Sequence, residues 1–467
     1  DEVTGMTHVV VVGGGIAGVA TALALRSTPG TAPRVTLLEA ESRLGGKIAG
    51  GPFAGLDDVD EGADAFLARV PEAVDLATDV GLGESLVSPE PVGAAVWRDG
   101  LVDLPEGLVL GLPGRLRPLA TTPLLSTRGK ARAALEPLLP RTSVDGDSLG
   151  AFVRARFGDE VQDRLVDALV GSIYATDTDR FSLAEVPQLA SLAREHRSIL
   201  LGARSAATAS PGTGSAEAAP VFAAPRAGMN DLVTATAEAF ERADGTIRRS
   251  TPVESLDRTA GGGWHIAGED ADAVVLACPP VAAAGLLRAE SPGAADLLER
   301  AETADVVMVT LHVAADEWPD RLRGRSGYLV PKPDQRWVTA ASFGSQKWAH
   351  WRPPGGGEIL RVSLGRDGMP VLHLTDDEVV EHVVADLARQ LDIEIAPLDV
   401  RITRWPGAFA QYRPHHRDWV ERVEGALPTG VYVTGAGYRG IGIPACIRAA
   451  RATASRCAAG LGLVGDS

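Results

Sequence analysis

Val9-Val10-Val11-Val12-Gly13-Gly14-Gly15-Ile16-Ala17-Gly18 is the stretch that decides the fold. An apolar β-branched run enters three glycines, and Val19-Ala20-Thr21-Ala22-Leu23-Ala24-Leu25 then reads as a helix. The pattern predicts strand, tight turn and helix, with Gly13, Gly15 and Gly18 at G-x-G-x-x-G spacing. In such a unit the first glycine makes the turn and the second lets backbone approach a pyrophosphate. The third lets helix and strand pack closely. Phosphates then rest on free N–H groups at the helix N-terminus. A second strand, Val35-Thr36-Leu37-Leu38, ends in Glu39. That acid lies roughly 20 residues on, where a carboxylate accepts hydrogen bonds from ribose hydroxyls. Strand, helix and acid together predict a dinucleotide site.

Just past the acid, Ala40-Glu41-Ser42-Arg43-Leu44-Gly45-Gly46-Lys47-Ile48 adds a basic residue and a glycine pair. Arg43 can neutralise a diphosphate, and glycines admit close backbone approach. The two motifs together point to FAD rather than NAD. They resemble the extended dinucleotide-binding signature of the flavin amine oxidase and protoporphyrinogen oxidase superfamily. Val59-Asp60-Glu61-Gly62-Ala63-Asp64-Ala65-Phe66-Leu67 reads as a strand end and a glycine turn. In that superfamily this turn lies against the flavin.

Bulk composition narrows the remaining classes. A chain of 467 residues calls for two or three domains, and 45% hydrophobic content allows a sizeable core. Lys plus Arg is 45 against 61 Asp plus Glu, a net charge of -16. That balance argues against nucleic-acid binding, which needs clustered cations. The three cysteines, Cys278, Cys446 and Cys457, have no C-x-x-C spacing. They fit neither a zinc site nor a disulfide framework, and Cys278 and Cys446 read as buried small hydrophobes in a reducing compartment. No apolar run reaches the 18 or so residues of a membrane span. Met6 reads as a start, with Asp1 to Gly5 as a remnant before it and no signal peptide. The expectation is a cytoplasmic protein with at most peripheral membrane contact.

Further along, Thr78 to Leu82 reads as a helix end closed by Gly81, and Val96 to Val102 as a hairpin with an Asp-Gly turn. Pro105 to Leu200 has helical texture, with Leu149 to Leu169 at helical spacing. The short apolar run Leu108 to Pro113 fits a membrane surface, a tunnel wall or core. Ala203 to Ala224 reads as a mobile loop, and Asn230 or Asp231 as the cap of the helix that follows. Thr251 to Leu256 and Trp264 to Ile266 read as short strands leading to Ala273 to Ala277, which returns to the dinucleotide sheet. Val306 to Gly365 alternates strands and turns, its tryptophans core or pocket wall, and Asp376 to Leu391 is an amphipathic helix. Near the end, Gly430-Val431-Tyr432-Val433-Thr434-Gly435-Ala436-Gly437-Tyr438-Arg439-Gly440-Ile441-Gly442-Ile443-Pro444 repeats strand, glycine loop and helix, with a final helix from Ala445 to Leu461. It is a second place where backbone N–H groups can face a cofactor.

Several pieces are more specific: Gly171-Ser172-Ile173-Tyr174-Ala175, His196-Arg197-Ser198-Ile199-Leu200-Leu201-Gly202, Arg404-Trp405, Gln411-Tyr412 and Gly440-Ile441-Gly442-Ile443-Pro444. With the glycine motifs they resemble the oxygen-dependent protoporphyrinogen/coproporphyrinogen oxidase family, in its Gram-positive bacterial branch. The Tyr174 and His196 segments separate that family from amine oxidases and phytoene desaturases. The resemblance implies an α/β fold: a Rossmann-like FAD-binding domain, a mixed-sheet substrate domain and a helical domain. The implied boundaries are 6–75, 225–285 and 400–467 for FAD, 76–104 and 286–399 for substrate, and 105–224 for the helical part. By position, Gly13, Gly14, Gly15, Ile16, Ala17, Gly18, Arg43, Gly45, Gly46 and Lys47 would meet the diphosphate side, and Glu39 and Ala40 the ribose. Gly62, Ala63, Asp64, Ala65, Gly435, Ile441, Gly442 and Ile443 would line the flavin, Val253 the adenine end and Trp405 the pocket. Departures exist. The flavin turn of the family usually reads Gly-Pro-Asp-Ser, so only a backbone contact carries over at Gly62 to Ala65. Thr176, Ala445 and Val70 stand where relatives carry Gly, Asp and Lys.

The implied substrate is a porphyrinogen, with coproporphyrinogen III first and protoporphyrinogen IX as the alternative. FAD would take hydride from a meso carbon, a pyrrole N–H would lose a proton, and O2 would be the acceptor, giving H2O2. No metal site or catalytic triad is visible or needed, and none of His8, His196, His265, His415 and His416 reads as a base. Propionates call for arginine, and Arg69, Arg226 and Arg439 are the candidates. Tyr174 and Met229 would wall the flat ring. The next enzyme of haem synthesis would be a partner. Another flavin oxidase acting on amines, with FAD attached near Cys446, and a non-enzymatic FAD and porphyrin carrier are the remaining alternatives.

Overall fold

The computed structural model describes residues 6–28, 32–209 and 220–463. Its organising layer is a five-stranded parallel sheet ordered Thr246–Arg248, β2 (Arg34–Leu38), β1 (His8–Val12), Ala273–Leu276 and Val431–Val433. Parallel strands covered on both faces bury every side chain, so they read as unbroken apolar runs. Val9, Val10 and Val11 are fully buried. Val9 and Val11 point into one core with the helices α1 (Ile16–Arg26), Met229–Arg242 and Ile443–Gly460. Val10 and Val12 point into the opposite core with Trp264, Leu287 and Val433. Each fully buried valine contributes about 1.5–3 kcal/mol of apolar transfer.

The second layer is a seven-stranded mixed sheet, ordered Asp399–Ala410, Thr303–Val313, Glu358–Leu364, Val338–Phe343, Arg325–Leu329, Gly93–Trp97 and Leu101–Asp103. All its pairs are antiparallel except Arg325–Leu329 with Gly93–Trp97. The helix Asp376–Leu391 lies in its core, begun by a capping box between Thr375 and Glu378. A third core gathers the helices between Leu116 and Ala209. The strand Asp399–Ala410 pairs with Thr303–Val313 along its length. The span 400–410, grouped by the sequence with the cofactor segments, is therefore an edge of the mixed sheet.

Several local expectations are corrected. The helical run from Leu149 breaks at Gly158, whose φ of +88° ends the helix Leu149–Phe157. It resumes as Asp159–Val161 and a π-helical stretch, Gln162–Gly171. Of the expected loop Ala203 to Ala224, the first part continues the helix Ile199–Ala209 and the last enters the strand Phe222–Pro225. Residues 210–219 lie outside the described residues. Gly228, not Asn230 or Asp231, precedes the helix at Met229, and the Asp60 carboxylate accepts the Met229 N–H at 2.9 Å. Thr251 to Leu256 forms no strand, since the sheet edge is already taken by Thr246–Arg248. The run at Leu108 folds as two short strands, Leu108–Val109 and Leu112–Pro113, packed on the helical core, with Leu112 fully buried. The last helix starts two residues earlier than expected, at Ile443, with Pro444 in its first turn. Trp318, Trp348 and Trp351 are core residues, while Trp337 stacks on His382 at 4.3 Å.

Candidate functional site

The glycine spacing of the first turn is explained atom by atom. Gly13 has φ of +109°, and its N–H donates to the Leu38 carbonyl at 2.8 Å. A Cβ on Gly18 would lie 1.8 Å from the Gly13 carbonyl oxygen, so helix and turn touch only because Gly18 has no side chain. A Cβ on Gly14 would meet the Leu44 side chain at 2.5 Å. At Gly15 the nearest atom would be 3.9 Å away, which leaves open space above the first turn of α1. Gly15 offers no side-chain cap, so the N–H groups of that turn stay free for a ligand. Ile16 and Ala17 are buried beneath it.

The second glycine motif closes against the first. Gly45 N–H donates to the Gly14 carbonyl at 2.9 Å, and Gly15 bridges Gly45. Gly45 and Gly46 both take positive φ. Arg43 spreads its guanidinium over the carbonyls of Leu44 (3.1 Å), Gly46 (2.6 Å) and Ile48 (3.1 Å). It makes no ion pair with a described carboxylate, so its charge is available at the rim of the cradle. Glu39 accepts from Gly14 N–H at 2.6 Å and Glu41 N–H at 2.8 Å, and its further lone pairs face outward beside exposed Ala40. Thr251 N–H donates to the Glu39 carbonyl at 2.8 Å, which draws half-buried Val253 towards the same end. Lys47 reaches the Gly407 and Ala408 carbonyls at 2.7 and 2.6 Å. Crowding by protein lowers the pKa of its ammonium.

The turn Gly62 to Ala65 is held from the mixed sheet. The Arg361 guanidinium donates to the Gly62 carbonyl, and Trp405 Nε1 donates to the Glu61 carbonyl at 3.0 Å. Asp64 meets Lys347 Nζ at 2.8 Å, Trp348 Nε1 at 3.1 Å and Arg361 at 3.5 Å. Burial opposes its ionisation, but those two cations outweigh burial and hold the carboxyl far below the usual range. The Asp64 side chain is committed to protein partners, and Ala65 packs on the core, so this turn offers backbone atoms to a ligand. Nearby, Arg401 donates to the carbonyls of Gly51 (3.0 Å) and Val59 (2.6 Å), fixing the hairpin β3 (Gly50–Phe53) and β4 (Leu56–Asp60).

At the C-terminal motif Gly435 has φ of +111°, and Gly442 precedes the last helix with no side-chain cap. A Cβ on Gly442 would meet only Pro444, so this second helix N-terminus also opens to free space beside Ile441 and Ile443. The helix at Met229 differs, because Asp60 already occupies its first N–H.

The expected substrate residues divide. Tyr174 is half-buried, packs on Phe181 at 4.8 Å and has its phenol pKa raised by burial. Arg69 and Arg226 are exposed and make no side-chain hydrogen bond or ion pair with a described residue. Arg439 is exposed, and its Nε and Nη2 both donate to Glu424, at 3.3 and 2.5 Å. Met229 is fully buried in the core. Cys446 is buried, its thiol 3.6 Å from the Gly440 and Ile441 carbonyls and pushed up to about 12 by burial. Reading the sequence passed over Arg361, Lys347 and Arg401. They lie hundreds of residues from the turns they hold, and only the fold brings them there.

Two uncapped glycine-fronted helix N-termini, the Glu39 carboxylate beside the first turn and a second glycine loop closed on it are the features of a dinucleotide-binding protein. Residues 16–458 match the family of flavin containing amine oxidoreductases, and the chain belongs to that family. It is 32% identical over 469 residues to the coproporphyrinogen III oxidase of Bacillus subtilis (strain 168), covering 97% of this chain and 98% of that one. It is 27% identical to protoporphyrinogen oxidase 1, chloroplastic, of Arabidopsis thaliana, over 96% of this chain and 87% of that one. A solved structure from Exiguobacterium sp. 255-15 superposes with a TM-score of 0.85 at 29% identity, covering 98% and 100% of the two chains. The protein is an FAD-dependent oxidoreductase. Among the described residues no helix is long and apolar enough to cross a membrane, and no cluster of His, Cys, Asp or Glu could hold a metal.

Proposed function

We propose that this protein oxidises coproporphyrinogen III to coproporphyrin III with O2 as acceptor and H2O2 as product, in haem biosynthesis. The reading rests above all on full-length kinship with a coproporphyrinogen III oxidase, joined to two uncapped glycine-fronted helix N-termini that suit one extended dinucleotide. Bound FAD supplies the hydride acceptor. Around it Gly13 to Gly18, Arg43, Gly45 and Gly46 hold the diphosphate, and Glu39 and Ala40 the ribose. Lys47 borders the diphosphate loop, Val253 the adenine end and Trp405 the pocket. The backbone of Gly62 to Ala65, Gly435 and Ile441 to Ile443 faces the flavin. Tyr174 walls the macrocycle, and burial keeps its phenol protonated. Arg69 and Arg226 carry charge with no side-chain hydrogen bond or ion pair among the described residues, which suits a substrate bearing several propionates. We divide the chain into an FAD unit (6–75, 225–285 and 400–467), a substrate unit (76–104 and 286–399) and a helical unit (105–224), with the strand Asp399–Ala410 paired into the mixed sheet. We place it in the cytoplasm, with at most peripheral membrane contact and with transfer of product to the next haem enzyme.

The test is aerobic turnover of coproporphyrinogen III beside protoporphyrinogen IX, followed by porphyrin fluorescence and peroxide. Faster coproporphyrin formation with matching peroxide is expected. A preference for protoporphyrinogen moves the pathway step towards that of the Arabidopsis relative, and no porphyrin from either substrate sinks the assignment.

A further inference from the structure

Three consecutive residues, Gln411-Tyr412-Arg413, connect the turn at Tyr174 with the glycine loop before the last helix. The Tyr412 hydroxyl donates to the Ala436 carbonyl at 2.7 Å and accepts the Gly440 N–H at 2.9 Å. It therefore ties together both ends of the glycine loop that leads to the last helix. The ring is wedged between His416, at 3.9 Å, and Phe181, at 6.0 Å, so the hydroxyl has little freedom. Burial pushes its pKa well up, and the phenol remains a donor. On the other side, the Gln411 amide nitrogen sits 3.4 Å from the carbonyls of Tyr174 and Ala175. Arg413 pairs with Asp367 at 2.6 and 3.0 Å, and Asp367 N–H donates to that same Ala175 carbonyl at 2.9 Å. Ala175 has φ of +45°, a conformation alanine does not hold without such support.

We propose that Tyr412 is a positioning residue that fixes the N-terminus of the helix Ile443–Gly460 against the flavin, while Gln411 fixes the Tyr174 turn against the substrate. The inference rests on the flavoprotein reading above, with Ile441 to Ile443 at the cofactor. The aligned N–H groups of a helix N-terminus favour negative charge on what they face. A reduced flavin carries more negative charge than an oxidised one. Holding that terminus rigid therefore makes reduction easier, because preorganised dipoles need not reorient as the charge appears.

The experiment measures the flavin midpoint potential of the purified holoenzyme by dye equilibration, with Tyr412→Phe beside wild type. Phenylalanine keeps the ring stack and removes only the hydroxyl. Loss of its two hydrogen bonds is expected to make flavin reduction about tenfold less favourable, a potential about 30 mV lower for a two-electron couple. FAD content should stay at wild-type level. Gln411→Leu is expected to leave the potential unchanged and to raise the porphyrinogen KM about tenfold with little change in kcat. If the phenylalanine variant does not accumulate, Ala436→Gly loosens the same loop without touching Tyr412 and must lower the potential too. An unchanged potential in the folded variant used overturns the role of Tyr412, and an unchanged KM in Gln411→Leu overturns that of Gln411. Wild-type protein that holds no FAD overturns the flavoprotein reading and this proposal with it.

Discussion

At the scale of single residues, the glycines of the first turn perform separable jobs. Gly18 serves packing, since its Cβ would collide with the Gly13 carbonyl at 1.8 Å, whereas Gly15 borders open space. Gly18→Ala is expected to lower stability by about 1–3 kcal/mol, as overpacked sites do, and to be seen as a lower Tm. Gly15→Ala should keep the wild-type Tm of the apoprotein and weaken FAD binding at least about tenfold, because the added methyl fills the approach to the phosphates. Equal Tm losses in both would contradict this division. Asp60 makes a second residue-scale case. It is almost fully buried beside Asp58, Asp64 and Arg361, and burial raises its pKa to about 7 despite the Met229 N–H. Unfolded, it titrates near 3.8. Between these values the folded protein keeps a proton that the unfolded chain releases. Its contribution to stability is therefore complete below about pH 4 and lost as pH rises through about 7, by about 4 kcal/mol at most. Asp60→Asn retains an oxygen for Met229 N–H and removes the titration. Denaturation midpoints at pH 5 and pH 8 should differ less in this variant than in wild type, and an unchanged difference would exonerate Asp60.

At the scale of elements, one buried pair fastens the π-helical stretch to the mixed sheet. Arg366 binds Asp167 with both Nη atoms at 2.8 Å, and Thr178 adds a hydroxyl to the same carboxylate at 2.7 Å. Both partners are under 5% exposed. Asp167→Ala leaves the buried guanidinium without its counter-charge, with only the Thr176 carbonyl and the Gln335 amide oxygen as acceptors, and is expected to cost about 3–5 kcal/mol, measured by urea denaturation. A loss below about 1 kcal/mol would mean that those neutral acceptors or water suffice for Arg366. Elements also differ in how legible they were. β1, β2 and Ala273–Leu276 were plain because burial on both faces makes them almost wholly apolar, with His8 and Thr36 as the buried polar exceptions. The helix Asp376–Leu391 was read to the residue, with a capping box at one end and Asp392 in the left-handed region at the other. Thr246–Arg248 was missed, since three half-polar residues at a sheet edge carry no periodicity. The break at Gly158 was hidden because glycine within a helical pattern does not by itself announce a positive φ. The glycine cradles could be read directly. Arg361, Lys347 and Arg401 could not, because nothing local marks a cation whose partner is far along the chain.

At the scale of the whole molecule, a strongly acidic protein leaves the Arg69 and Arg226 side chains without a hydrogen bond or ion pair among the described residues, at opposite ends of the short strand Phe222–Pro225. Arg69→Ala is expected to raise KM for coproporphyrinogen about tenfold with kcat nearly unchanged, the mark of a contact made equally in ground and transition states. Its effect on protoporphyrinogen, with fewer carboxylates, should be smaller. Equal effects on both substrates would remove Arg69 from propionate recognition. The pairing of the parallel sheet has a consequence for how the protein is made. Val9 lies against Ala273, and Val274 against Val431, so the central strand waits for neighbours born far later. Such distant pairings fold slowly and leave apolar strand edges bare meanwhile. On the ribosome the first glycine turn emerges hundreds of residues before Val431–Val433 and Ile443–Gly460, which complete its sheet and supply the second helix N-terminus. Its apolar edges need shelter across that interval, and cofactor capture waits for its close.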